Sequence, residues 1–227
     1  MAYNNIKAEN KLFAIADRQQ GFFTSQQAIQ AGFQDAVHPY HVKHGHWERE
    51  MRGVYRLARY PQSDAAQYVI LSLWSRDRKG VPQGVLSHET ALSIYDLSDV
   101  NPSKIHMSVP KGFRRQARIP KVLVLHYGPR YDGSDIQERR GFRVTRPART
   151  VRDLFSHGSA NPEIIEQALR DGYRTGRITV KELKALLKDF PASKHLFPAQ
   201  HIPFPSNFPR RLRPGGTGFQ RLRAKVN

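Results

Sequence analysis

The chain has 227 residues, no cysteine and a formal net charge of +18. That length holds one large or two modest domains, and the missing thiols exclude a disulfide framework, a thiolate metal centre and a cysteine nucleophile. With 37 basic against 19 acidic residues, the chain's field favours a polyanion, either nucleic acid or an anionic surface.

The start, MAYNNIKAENK, has no apolar signal region, and the longest apolar run, YVILSLW at 68–74, is far short of the roughly 20 residues that cross a bilayer. The reading is a soluble cytoplasmic protein with no membrane partner. In residues 7–20, Ala8, Leu12 and Ile15 recur at helical spacing, with Phe13 and Ala16 widening the stripe, and Gly21 ends the helix. Thr24 opens a second helix with Gln27 three residues on, the pattern of a capping box, and Gly32 closes it. A third helix is expected over about 36–44, with Pro39 confined to its first turn because proline lacks an amide donor. A hairpin follows at 46–57, hinged at Arg52-Gly53, and Arg49, Arg52, Arg56 and Arg59 thread the stretch 46–60 that holds it.

Pro61 marks an expected boundary. A fourth helix is predicted at 63–78, a linker at 76–84 and a helix at 87–97 capped by Ser87. Residues 104–110, 121–127 and 142–147 read as strands, rich in β-branched residues. Helices at 147–157, 161–173 and 179–188 close the fold, which is therefore α+β. From Pro191 on, the chain holds six prolines, seven basic residues and no acid, the composition of an extended or disordered arm.

Three helices and a hairpin within residues 1–60 form the order of a winged helix-turn-helix. In that module the third helix enters the major groove and the wing reaches phosphate or the minor groove. The expected DNA-binding set is Thr24, Gln34, Asp35, His38, His41, Lys43, Arg49, Arg52 and Arg56. Gln34, Asp35, His38 and His41 stand where bases are read, while Lys43, Arg49 and Arg52 suit phosphates. Two copies on paired half-sites would match an inverted repeat.

Metal and catalysis are not expected. His38, His41, His44 and His46 invite a metal reading, but no carboxylate stands at a chelating spacing. Ser87-His88-Glu89 fits a helix start better than a hydrolytic constellation, because glutamate is favoured in a first helical turn. Arg149 and Asp153 are spaced for a helix-surface ion pair, and an anion pocket formed with Arg146 is the alternative. No Walker loop, dinucleotide glycine pattern or His-Glu-x-x-His is present, so no cofactor and no enzyme activity are anticipated.

GFFTSQQAIQAG at 21–32 followed by VKHGHWEREMRGVYRL at 42–57 resembles the N-terminal winged-helix domain of AbiEi-type antitoxins, from type IV toxin–antitoxin and abortive-infection systems. Residues 84–115, VTRPARTVRDLF at 144–155 and IEQALRDGYRTGRITVKEL at 165–183 continue the similarity, which spans about residues 10–190. The resemblance implies an autorepressor that binds inverted repeats in its own promoter. It also implies an α/β antitoxin domain at 61–190 that opposes, directly or indirectly, a nucleotidyltransferase-like toxin encoded next door. His88, Arg146, Arg149 and Arg152 would lie on the antitoxin or anion-binding surface. Pro39 departs from the uninterrupted, arginine-rich recognition segment of many relatives. Two alternatives are a stand-alone transcription factor with a ligand- or partner-sensing second domain, and an RNA-binding protein stacking bases on Phe204, Phe208 and Phe219.

Overall fold

A computed structural model describes residues 2–158 and 161–190, and the expected basic tail at 191–227 lies outside the described residues. The backbone groups into two units, one formed by residues up to Ser87 with Ser103–Thr145, the other by His88–Pro102 with the described residues from Arg146 on. The class is α+β, with eight α-helices and sheets of three and five strands among the described residues.

In the first unit, α1 (Ala2–Asp17) starts and ends earlier than the sequence periodicity predicts. Ala8, Leu12 and Ala16, four residues apart, make its buried edge, whereas Phe13 is 55% exposed rather than part of the core stripe. The chain reverses through Gln20 (φ +55°) and Gly21 (φ +87°), and the Gly21 amide donates to Ala16 O at 2.8 Å. Glycine is required there on two counts. Its φ is left-handed, and a Cβ would lie 2.4 Å from the Tyr60 ring.

β1 (Phe22–Thr24) follows, unanticipated because three residues between two helices carry no readable period. α2 (Ser25–Ala31) has the expected capping box, with Gln27 N donating to Thr24 Oγ1 at 3.2 Å and Thr24 N donating to Gln27 Oε1 at 2.9 Å. The expected third helix divides in two. A single 3-10 turn at Asp35–Val37 leads into α3 (His38–Lys43), with Pro39 in its first turn, where no amide donor is needed. β2 (Trp47–Met51) and β3 (Val54–Leu57) form the expected hairpin, with a register irregularity between Arg49 and Met51.

β3 is the central strand, in the order β1-β3-β2. Alternation divides its faces. Phe23, Trp47 and Tyr55 join Leu12, Ala28 and Phe33 in the core under the helices. Phe22 and Val54 lie on the opposite face and are equally buried, and α4 (Ala66–Trp74) packs against β1 and β3. The same unit contains β4 (Val85–Leu86), β5 (Ile105–Pro110), β6 (Leu123–Gly128), β7 (Ile136–Arg139) and β8 (Phe142–Thr145), in the order β6-β5-β4-β8-β7. β4 and β7 were not anticipated, one being two residues long and the other, IQER, mostly polar. The expected seam at residue 61 therefore lies inside this unit.

The second unit contains α5 (His88–Tyr95), α6 (Pro147–His157), α7 (Pro162–Arg174) and α8 (Val180–Asp189). Leu92, Val151, Leu154, Ala168, Leu169 and Leu183 are buried within it. α7 and α8 are capped by Asn161 and Thr179 as expected, the latter through a full capping box with Glu182.

Candidate nucleic-acid interface

The winged helix presents a polar edge built from the end of α2, the 3-10 turn, α3 and the hairpin. Gln34, Asp35, Tyr40 and Lys43 are exposed along it. Gln34 precedes the 3-10 turn without a side-chain cap hydrogen bond, leaving its amide to solvent. The Asp35 carboxylate lies 3.2 Å from His38 Nδ1. Among the described residues no carboxylate reaches Lys43, Arg49, Arg52 or Arg59, and all four are exposed.

Three residues of the expected DNA-binding set do not reach this edge. Thr24 is buried, with its hydroxyl accepting from the α2 backbone. His38 is 2% exposed and packs against Trp47 and Tyr55 at ring separations of 5.3 and 5.9 Å, so it is a core residue and not a base reader. Arg56 is 6% exposed. Its Nε donates to Glu50 Oε1 at 3.1 Å, its Nη1 to Tyr60 O at 2.9 Å, and its Nη2 to Glu48. The reason is register. Arg56 pairs with Phe22 and Glu48, so it falls on the sheet face that lies away from the helical core.

His41 is half-turned inward. Its ring stacks on Trp47 at 4.5 Å and 16°, and its Nδ1 is 3.2 Å from His46 Nδ1. Partial burial, and then the neighbouring His46, hold its pKa below the ordinary 6.5, which favours the neutral imidazole.

The second unit contains the residues expected on the antitoxin or anion-binding surface, His88, Arg146, Arg149 and Arg152. His88 is buried rather than on the surface. Arg149 Nε donates to Asp153 Oδ1 at 2.9 Å, the ion pair its spacing predicts, and Arg152 Nη2 donates to Asp189 Oδ2 at 3.0 Å. Arg146 is exposed at the start of α6.

No family model and no curated protein matches this chain. Its fold is similar to that of the RV2827C protein from Mycobacterium tuberculosis, with a TM-score of 0.51 and 13% identity over 80% of this chain and 71% of that one. At that identity the likeness concerns the fold alone.

Sequence reading missed Tyr40, 54% exposed with its ring 3.9 Å from that of His44. Pro39 drew attention to the break in the helix and away from the aromatic residue it leaves outside. Arg59, one of the four arginines noted in the 46–60 stretch but not placed in the expected DNA-binding set, is exposed after the last paired strand residue.

Proposed function

We propose that this chain is a DNA-binding transcriptional autorepressor and an antitoxin that opposes a nucleotidyltransferase-like toxin encoded beside it. One observation carries the DNA reading. The three-helix and hairpin arrangement leaves Lys43, Arg49 and Arg52 exposed, without carboxylate partners, beside the exposed Gln34 and Tyr40. Guanidinium groups on a wing suit phosphate oxygens, and an amide and a phenol on the helix edge suit base edges. Arg56 lends nothing to this surface but fixes the hairpin that carries it. The antitoxin reading rests on the blocks at 84–115, 144–155 and 165–183 that resemble the AbiEi-type family.

Footprinting the chain on the DNA upstream of its own coding sequence tests the first reading. Protection of an inverted repeat, weakening steeply as salt rises, is the expected result; uniform cleavage at every protein concentration defeats it. Co-expression with the neighbouring toxin tests the second, with restored growth expected.

A further inference from the structure

Beyond the wing, on the same unit, two segments carry a dense set of cations outside the winged helix: Arg76–Lys79, after α4, and Lys111–Arg118, after β5. We propose that they form a second phosphate-contacting strip, continuous with the wing tip, that extends the duplex footprint beyond the helix-turn-helix; this rests on the DNA-binding reading above.

Contacts tie the strip to the wing. Arg76 Nη2 donates to Gly53 O, at the hairpin tip, at 3.1 Å, and its Nη1 donates to Leu73 O at 2.7 Å. The turn is closed by Asp77, whose Oδ1 accepts from the Lys79 and Val81 amides at 2.9 and 3.0 Å. Gly80 passes so close to α2 that a Cβ there would lie 3.1 Å from Gln26 Oε1. The second segment is held to the first, with Phe113 at 6.0 Å from the Trp74 ring and Arg115 Nη1 donating to Arg76 O at 2.9 Å. Arg52, next to Gly53, is thus the first cation of a series that runs on through Arg76 and the neighbouring segments.

The charge is unmatched. Arg76, Arg78, Lys79, Lys111, Arg114, Arg115 and Arg118 have no carboxylate within ion-pair distance among the described residues, and Asp77 spends its oxygens on backbone and on Gln83. Arg76 and Arg115 are partly buried; Arg76 donates only to the neutral Leu73 and Gly53 carbonyls, Arg115 donates to Arg76 O and leaves its buried Nε without a partner, and burial lowers the pKa of each. The positive charge of Arg115 lowers that of Arg76 further. A solvated face would disperse or pair such charges. Here the fold concentrates them beside the wing, which is the arrangement a polyphosphate backbone matches.

The test uses exposed residues, leaving Arg76 and Arg115 in place because they hold the backbone. The quadruple variant R78Q/K79Q/R114Q/R118Q and the full chain are titrated across 50–300 mM salt, conditions of the kind that resolve phosphate contacts, with a long upstream duplex and with one truncated to the inverted repeat. Each lost phosphate contact lowers the log–log salt slope by about 0.9, so the variant is expected to fall by roughly 2 to 4 on the long duplex while keeping its preference for the repeat. An unchanged slope in the variant, with the full chain still binding the repeat, overturns the strip and leaves the DNA reading standing. Failure of the full chain to bind either duplex overturns both. Vesicles of phosphatidylcholine and phosphatidylglycerol provide the remaining arm: binding to them by the full chain, lost in the variant while DNA binding stays intact, assigns the strip to lipid headgroups and also overturns it.

Discussion

Arg52 and Arg56 are four residues apart on one hairpin and do different work. Arg52 is exposed at the turn; Arg56 is sunk between Glu48, Glu50 and the Tyr60 carbonyl. Arg52→Ala, or Arg49→Ala, should leave the unfolding midpoint in place and lower the salt slope of DNA binding by about 0.9 each, read by fluorescence anisotropy. Arg56→Ala removes a charged partner from both glutamates and should cost about 2 kcal/mol in urea unfolding. The Arg56 prediction fails if that variant unfolds with the wild type and merely binds DNA less well. His41 supplies a pH signature. Its folded pKa is held below 6.5, so the unfolded chain takes up the proton first. Stability is then whole above about pH 6.5 and declines as pH falls through that value, until the folded imidazole itself protonates. Denaturant midpoints at about pH 7.5 and 5.5 should differ less in His41→Gln than in wild type, which isolates this imidazole from the other histidines.

At the level of elements, capping chemistry, the hairpin and the strands β5, β6 and β8 could be read, and the short strands β1, β4 and β7 could not. Thr24 with Gln27 and Thr179 with Glu182 form the boxes their spacing announces, because a cap is a contact between residues three apart. β1 could not be read, since its three residues become a strand only by pairing with β3, distant in the sequence. The same pairing decides which arginines of the hairpin stay exposed: alternation along β3 could be read from sequence, but which face would be covered could not. Phe23 is the sharpest probe of this small sheet. Its ring meets Trp47 at 5.0 Å and Tyr55 at 5.8 Å, and Phe23→Ala should cost about 3–5 kcal/mol in urea unfolding. Gly21→Ala should destabilise as well, through its left-handed φ and the clash with Tyr60, and a midpoint equal to wild type would contradict that account.

Across the whole molecule, the winged helix is not self-sufficient. Phe22 and Val54 face away from its three helices and are buried, and α4 packs on the strands that carry them. Arg140, in the turn between β7 and β8, donates to Asp17 O at 2.7 Å and to Asp17 Oδ1 at 2.6 Å, fastening the end of α1 to the five-stranded sheet. A fragment of residues 1–60 would expose Phe22 and Val54 to water. It should show the poor amide dispersion and dye binding of loose packing, whereas the full chain should not. A well-dispersed spectrum from that fragment would mean the sheet needs no cover on its second face.

The sequence by itself determined the order of the helices, the caps at Thr24, Asn161 and Thr179, the hairpin, the α+β class and the excess of positive charge. Each of these is written in composition or in contacts between near neighbours. Only the tertiary structure decided that His38 and Arg56 turn inward, that β1 exists, and that Arg76 and Arg115 stand beside the wing tip. Those outcomes depend on which distant strand supplies a pairing partner and which helix covers a face, and neither is encoded at short range.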